Sequence, residues 1–244
     1  MPDPNRRTRL PSKIVRAAHP TWQALLHVIY PPRCVGCGAR LAEHPTPVCH
    51  RCLHRLERVA VDHLAGLLAQ LPEAQAALDG AFALWLFDAG GTVQRLQHLL
   101  KYGNRPAQGI ALGRLLGAAY RDTAAPQPTL VLPVPLHRAR LYERGYNQSA
   151  LLALGIGQTL GVPVSETILV RHRATPSQTN LSRPRRWKNV AGAFAVTQPE
   201  AVTGHSTLLI DDVLTTGATL AAAATVLKQA GATSVHAVTL ALAR

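Results

Sequence analysis

The sequence predicts an α/β fold, in which a parallel sheet is flanked by helices and is preceded by a small four-cysteine module. From residue 79 to residue 244, strand-like apolar runs alternate with helical patterns, and this alternation is typical of a parallel sheet covered on both faces. Two C-x2-C pairs lie ahead of that region. We therefore expect a basic arm with a short helix over 1–29, a zinc ribbon over 30–58 and the α/β domain over 79–244.

The ribbon is predicted from the spacing of its cysteines. Two C-x2-C pairs are separated by eleven residues, and their members are Cys34, Cys37, Cys49 and Cys52. Each pair can occupy two corners of a tetrahedron, so the spacing predicts a structural Zn²⁺ site closed by four thiolates. Two disulfides are the alternative, which suits a secreted protein. The arginines around the pairs fit either a nucleic-acid contact or a solvated face that offsets the charge of the site.

The α/β domain opens with one strand and two helices. The apolar run over 81–88 predicts a strand, and the pair Gly90 and Gly91 predicts the turn that follows it. Apolar residues then recur at helical spacing from 92 to 102, and Gly103 marks the end of that helix. The same spacing predicts a second helix over 107–121.

Strands and helices alternate through the rest of the chain. A proline-rich linker precedes the buried strand predicted at 130–132, and a helix follows over about 147–160. The remaining predicted elements are strands near 168–170 and at 193–196, a basic loop over 171–189, a strand at 208–210, a helix from 218 and a strand at 235–242. We expect these strands to belong to one parallel sheet.

Composition and charge exclude several classes of protein. The 244 residues are 47% hydrophobic, and no run approaches the ~20 apolar residues of a membrane-spanning helix. The basic start lacks the apolar core and cleavage site of a signal peptide, so we expect a cytoplasmic protein, with a transit peptide left open. The net charge of +13 comes mainly from arginine, whose planar fork suits phosphate-bearing partners.

The most informative segment runs from Leu208 to Leu220. Two acids, Asp211 and Asp212, follow its apolar strand, at the edge where open α/β sheets bind ligands. Amides at a helix N-terminus form an anion pocket of phosphate size. The loop that would provide that pocket consists of Thr215, Thr216, Gly217, Ala218 and Thr219. The alternative is an ordinary strand–loop–helix turn in which Asp212 caps the helix.

These thirteen residues resemble, in full, the phosphoribosyl pyrophosphate (PRPP) binding motif of type I phosphoribosyltransferases. The resemblance implies that Asp211 and Asp212 are the catalytic carboxylates, binding the ribose hydroxyls. It also implies that residues 215–219 hold the 5-phosphate and that Mg²⁺ accompanies PRPP.

Further segments resemble the ComF family from about residue 25 to the end. They are Pro31 to Cys52, Leu100 to Gly103, Val134 to Leu136, Arg144 to Gln148, Gln178 to Leu181 and Arg186 to Phe194. ComF-type proteins resemble phosphoribosyltransferases with an N-terminal zinc ribbon. They are associated with natural competence, the handling of incoming single-stranded DNA on the cytoplasmic side.

The resemblance also assigns two loops. The segment from residue 135 to 144 takes the place of the pyrophosphate loop, with the candidates Pro135, Leu136, Arg138, Arg140 and Arg144. The segment 171–189 takes the place of the mobile catalytic flap and carries Arg171, Arg173, Arg183, Arg185, Arg186, Trp187 and Lys188. The flap fits either a single-strand grip, with Trp187 stacked on a base, or a solvated loop with Trp187 as a lid. Lys101 is interpreted as a charge at a helix C-terminus.

Three functions remain as hypotheses. The first is a PRPP-dependent transferase that acts in transformation on single-stranded DNA, together with competence DNA-uptake proteins. The second is a non-catalytic DNA-binding accessory that uses the PRPP pocket as a sensor. The third is a salvage enzyme for a free nucleobase.

Overall fold

The computed structural model describes residues 31–41, 46–60, 76–123, 125–173 and 190–243. The arm predicted over 1–29 lies outside them. The elements in chain order are helix α1 (His50–His54), strand β1 (Gly80–Leu86), helices α2 (Thr92–Tyr102) and α3 (Pro106–Arg121), strand β2 (Leu130–Pro133), helices α4 (Arg138–Arg144) and α5 (Gln148–Leu160), strands β3 (Leu169–Arg171) and β4 (Phe194–Val196), a 3₁₀ turn (Pro199–Ala201), strand β5 (Ser206–Leu214), helix α6 (Ala218–Gln229) and strand β6 (Ser234–Leu242).

Four strands form the parallel sheet that the sequence predicts. Their order is β1-β6-β5-β2, with Pro133 of β2 opposite Ile210 of β5, and Ile210 opposite Val238 of β6. Most residues of the central strands β5 and β6 are buried, as is typical of strands covered on both faces. The carboxyl ends of β2 and β5 therefore lie next to each other at one edge.

Alternate residues of the neighbouring strands β2 and β5 pack into two separate layers. Leu132 and Leu209 belong to the hydrophobic cluster that includes α6, whereas Val131, Leu208 and Ile210 belong to the cluster formed with α2, α3 and α5. This period of two is the geometry of a strand buried on both sides. The predicted fold class, a parallel sheet flanked by helices, is confirmed.

The strands near 168–170 and 193–196 do not join the sheet, so that part of the prediction is wrong. They appear as β3 and β4, which pair with each other in antiparallel register as a separate two-stranded sheet. Each has only its first residue fully buried, Leu169 and Phe194 respectively. Such one-sided burial is typical of an antiparallel pair that covers the core, while a central parallel strand is buried on both faces.

Helices α3 and α5 cross at glycines that leave no room for a side chain. A Cβ added at Gly113 would lie 2.2 Å from the carbonyl oxygen of Leu152, and one added at Gly155 would lie 2.1 Å from the carbonyl oxygen of Ile110. The neighbouring atoms are backbone, so they cannot move aside cheaply. The close approach holds α5, which begins beside the carboxyl end of β2, against the sheet.

We expect Gly155→Ala to lower the free energy of unfolding by about 2 kcal/mol, because the methyl group overpacks a backbone contact. Helix propensity acts in the opposite direction, since alanine is a better helix former than glycine by about 1 kcal/mol. Urea unfolding of the wild type and the variant measures the difference. A variant as stable as the wild type would contradict this helix contact.

Across the described ranges, the structure contains no helix with the length and apolar character needed to cross a membrane.

Candidate functional site

Two acids meet at the carboxyl edge of the sheet. Strand β5 continues to Leu214, so Asp211 and Asp212 lie within the strand and not beyond the end predicted at Ile210. Asp212 is only 7% exposed. An acid this deeply buried requires partners that compensate its charge.

Asp211 accepts two hydrogen bonds. The Ser149 hydroxyl, from the first turn of α5, donates to its Oδ1 at 3.0 Å, and the backbone amide of Asp212 donates to the same atom at 2.9 Å. Burial is the main influence on the Asp211 carboxyl, and together with the negative charge of Asp212 it raises the pKa of Asp211 to about 7.

Asp212 is held by two side chains of α2. Lys101 Nζ lies 2.9 Å from its Oδ2, and Gln97 Nε2 donates to the same oxygen at 3.1 Å. Burial alone would raise the pKa of Asp212, but the charge of Lys101 and these two hydrogen bonds outweigh it and lower the pKa. The two neighbouring acids therefore differ in character: Asp212 is a carboxylate at neutral pH, whereas Asp211 titrates near it.

The role of Lys101 is missed by the sequence analysis. It is not merely a charge at the end of α2, because it forms an ion pair with an acid 111 positions further along the chain. Gln97 and Lys101 are four residues apart and so lie on the same side of a helix. Two polar residues at that spacing, beside the apolar face of the helix, were the sequence signal that could have indicated a contact with a buried acid.

The loop after β5 has the features of an anion site. Gly217 adopts a left-handed conformation (φ 72°) that favours glycine, and α6 begins at the next residue with no side chain capping it. Asp212 is therefore not the helix cap. The hydroxyl Oγ1 of Thr216 is buried, and it has no hydrogen-bond partner among the described residues. The first amides of a helix also have no intrahelical acceptor, so they are available to a ligand together with Thr216.

The other members of the loop differ in exposure. Thr215 is exposed, Ala218 is buried and Thr219 is half-buried.

The segment predicted as a pyrophosphate loop contains a helix that the sequence analysis missed. Helix α4 covers residues 138–144 and has no buried residue, which removes the periodic apolar signal that predicts a helix. Arg140 pairs with Glu143 at 3.0 Å. Arg144 donates to Gln148 Oε1 at 2.8 Å and lies 5.4 Å over the ring of Tyr102. Both arginines thus have partners in the structure, and their role in binding pyrophosphate stays a prediction.

Pro135, Leu136 and Arg138 instead line a cavity of about 690 Å³. Arg171 of β3 lines its other side, 5.3 Å over the ring of Phe194. Burial lowers the pKa of Arg171, and the charge of Asp211 opposes that shift, so the two side chains are within electrostatic reach. The structure therefore places Arg138 and Arg171 around one cavity, and Arg171 is the one of the two that lies within electrostatic reach of Asp211.

The remaining flap candidates divide into two groups. Arg173 is exposed and donates from its Nη2 to the carbonyl oxygen of Ala191, across the ends of β3 and β4. The others lie outside the described residues, and they are Arg183, Arg185, Arg186, Trp187 and Lys188. Their predicted contact with DNA stays a prediction.

The four cysteines form a metal centre. Their sulfur atoms lie within 4.8 Å of one another, and the Sγ atoms of Cys37 and Cys49 are 3.7 Å apart. Tetrahedral zinc with Zn–S bonds of about 2.3 Å requires sulfur separations of about 3.8 Å. The backbone amides of Gly36 and Cys49 donate to Cys34 Sγ at 3.4 and 3.2 Å. Donors aimed at sulfur are suited to a thiolate, so the residues fit a structural Zn²⁺.

The acidity of the thiols also fits a cation site. Burial raises the pKa of Cys34, but hydrogen bonds from backbone amides, that of Cys49 first, outweigh it and lower the pKa to about 6. For Cys52, burial and the neighbouring thiols raise the pKa to about 12. Four thiolates at this spacing repel one another, and a divalent cation relieves that repulsion.

Comparison with known proteins gives two family matches. Residues 147–244 match the phosphoribosyl transferase domain, and residues 25–63 match the double zinc ribbon domain. The first match contains the acids and the glycine loop, and the second contains the four cysteines.

Two relatives and one solved structure are similar to parts of the chain. The DNA utilization protein YhgH of Salmonella typhi is 38% identical over 145 residues, which cover 58% of this chain and 63% of that protein. The match thus spans less than two thirds of that relative. Competence protein F of Haemophilus influenzae is 29% identical over 216 residues, which cover 84% of this chain and 88% of that protein. An allosteric regulatory enzyme of purine biosynthesis overlaps with a TM-score of 0.40 at 22% identity, covering 58% of this chain and 29% of that one.

The overlap with the solved structure is too small to support a conclusion. The two domain matches agree with the zinc ribbon and with the motif at the edge of the sheet, and both relatives are named for DNA utilization or competence. The chain therefore contains a phosphoribosyl transferase domain behind an N-terminal double zinc ribbon, which is the arrangement that its resemblance to the ComF family implies.

Proposed function

We propose that the chain binds PRPP at the carboxyl edge of the sheet and acts in the cytoplasm, in natural transformation, as a phosphoribosyltransferase-like protein on incoming single-stranded DNA. The observation that carries the proposal is an acid pair, half-buried Asp211 and buried Asp212, that precedes a glycine loop in which the buried Thr216 hydroxyl is unsatisfied. A buried polar atom of this kind is costly unless a ligand satisfies it.

Two groups of residues would bind two parts of PRPP: the acids would bind the ribose, and the glycine loop would bind the 5-phosphate. Asp212, a carboxylate held by Lys101, is suited to accept hydrogen bonds from ribose hydroxyls. Asp211 would share that role. The hydroxyl of Thr216 and the first amides of α6 would hold the 5-phosphate, where the helix dipole also favours an anion.

The transfer needs no protein nucleophile. The bond from the anomeric carbon to pyrophosphate breaks as a nucleophilic atom of the acceptor bonds to that carbon, and the nearby carboxylates stabilise the positive charge that develops there. Arg138 and Arg171, at the cavity, would neutralise the leaving group. Mg²⁺, held by substrate phosphates and a carboxylate such as Asp211, would supply further neutralisation.

The proposal is tested by calorimetric titration of PRPP with Mg²⁺ into the zinc-loaded protein. We expect binding by the wild type and its loss in Asp212→Asn, because the ribose hydroxyls lose their charged acceptor. Asp122→Asn is the matched control, since Asp122 is an exposed acid at the end of α3. A wild-type protein that does not bind PRPP would refute the proposal.

The same titration with single-stranded DNA present separates the three functions. Pyrophosphate released only with DNA would support transfer to a DNA-linked acceptor. DNA binding that weakens with salt and survives Asp212→Asn would support the accessory role, in which the +13 charge binds the phosphates. Pyrophosphate released with a free nucleobase alone would support salvage.

A further inference from the structure

Helix α2 contacts both the zinc ribbon and the acid pair. Arg95 Nε donates to the carbonyl oxygen of Val35 at 2.8 Å, and Arg95 Nη2 donates to that of Gly36 at 3.4 Å. Val35 and Gly36 are the two residues between Cys34 and Cys37. Further along the same helix, Gln97 and Lys101 hold Asp212 (described above). One helix of 11 residues therefore connects the metal-binding loop to the proposed PRPP site.

The contact between the ribbon and α2 is tight. A Cβ added at Gly36 would lie 2.8 Å from the sulfur of Cys52 and 3.2 Å from the hydroxyl of Thr92, the first residue of α2. Cys34 and Cys52 also belong to the same hydrophobic cluster as Leu96 of α2. The zinc ligands are therefore part of the surface on which the helix lies.

The helix is fixed at its start by the carboxylate of Asp88. Its two oxygens accept the amides of Thr92 and Val93 at 2.8 Å, and that of Gln94 at 3.2 Å. Arg95 also donates to the carbonyl oxygen of Gly90 at 3.0 Å. A helix whose first turn is held in this way moves as one body. Arg95 and Lys101 are about 9 Å apart along the helix axis, so a displacement at Arg95 is carried to Lys101.

We infer that α2 couples the metal-bound ribbon to the PRPP site, with Arg95 as a positioning residue. The contact between Arg95 and the ribbon keeps the helix in the position at which Gln97 and Lys101 contact the carboxylate of Asp212. Loss of the ribbon contact allows the helix to shift as one body, and a shift of 1 Å is enough to break a hydrogen bond of this kind. Asp212 then loses the two side chains that hold its carboxylate in position. This inference rests on the proposed function, PRPP binding.

The first test is the affinity of Arg95→Gln for PRPP, with zinc content measured in the same samples. We expect the Kd to rise about fivefold or more, at the lower end of ordinary coupling between sites, with zinc retained. Arg121→Gln is the matched control, because Arg121 is an exposed arginine at the end of α3 and its loss changes the net charge equally. If Arg95→Gln binds PRPP as tightly as this control, the inference is overturned.

A double-mutant cycle with Lys101→Met separates coupling from general damage. If Arg95 acts through Lys101, the two losses of affinity are less than additive, because the second substitution has nothing further to release. Additive losses would show independent effects and would overturn the inference. Circular dichroism of each variant establishes that it is folded before its Kd is compared.

Linkage supplies a reciprocal measurement. If zinc in the ribbon strengthens PRPP binding, PRPP must strengthen zinc binding by the same factor. Competition with a chromogenic chelator, with and without PRPP, measures that factor. Asp212→Asn is the control, because it is expected not to bind PRPP and so reports only the zinc that free PRPP binds. Zinc affinity unchanged by bound PRPP would overturn the coupling while PRPP binding stands. A wild type that binds no PRPP would instead end the proposed function.

Discussion

At pH 8, Asp211→Asn is expected to raise the free energy of unfolding of the ligand-free protein. Burial, with the negative charge of Asp212, raises the pKa of Asp211 from 3.8 to about 7. Between those two values the folded protein binds a proton that the unfolded chain has released, so stability falls as the pH rises. At about 1.4 kcal/mol per pKa unit, the carboxyl costs at most about 4 kcal/mol above pH 7. Asparagine has the same shape and no charge to bury.

Urea unfolding of both proteins at several pH values checks this expectation. The stability advantage of Asp211→Asn should grow between about pH 4 and pH 7 and then level off. Using the difference between the two proteins cancels the pH dependence of all shared groups. Asp122→Asn, at an exposed acid, should show no such growth. An advantage that does not change with pH would contradict the raised pKa.

A gain in stability from removing a site residue would also bear on function. Natural proteins retain unfavourable buried charges mainly where a ligand needs them. If Asp211→Asn is both more stable and unable to bind PRPP, the acid is kept for binding and not for folding. This outcome would support the proposed site independently of turnover.

Removal of zinc is expected to unfold the ribbon and to lower the stability of the α/β domain beside it. Structural zinc in small modules supplies roughly 10–16 kcal/mol of apparent binding free energy, so the cysteine segment has little other stabilisation to replace it. Cys34, Leu41, Val48 and Cys52 are buried in the same cluster as α2. Loss of the metal therefore exposes apolar surface of the domain as well.

Metal analysis and thermal unfolding before and after chelation measure this effect. We expect one zinc per chain, a lower melting temperature after chelation and recovery on addition of zinc but not of magnesium, which prefers oxygen ligands. Cys52→Ser should reproduce the chelated state. An unchanged melting temperature would contradict a structural role for the metal.

The regular elements of the fold are predictable because their signals are local. Helix α2 has the bounds predicted for it, Thr92 to Tyr102, since glycines mark both ends and its apolar residues keep one face. The buried strand and the acids at 208–212 follow from an unbroken apolar run. Helix α4 could not be found in this way, because its seven residues bury no side chain.

The parts of the site that depend on tertiary contacts were not predictable. Ser149 and Lys101 contact the acids from helices far away in the sequence. Residue spacing along the chain does not predict such contacts. The antiparallel pairing of β3 and β4 was missed for the same reason. The roles assigned by resemblance to Thr215, Thr219 and Arg138 stay predictions.

The position of β6 within the sheet has a consequence for biosynthesis. This strand lies between β1 and β5, and the parallel partner that β1 has in the sheet is β6. On the ribosome, β1 is complete when Leu86 has been added, but its partner begins only at Ser234. The edge of β1 that faces β6 thus stays unpaired through most of translation, which exposes the nascent chain to aggregation and to chaperones.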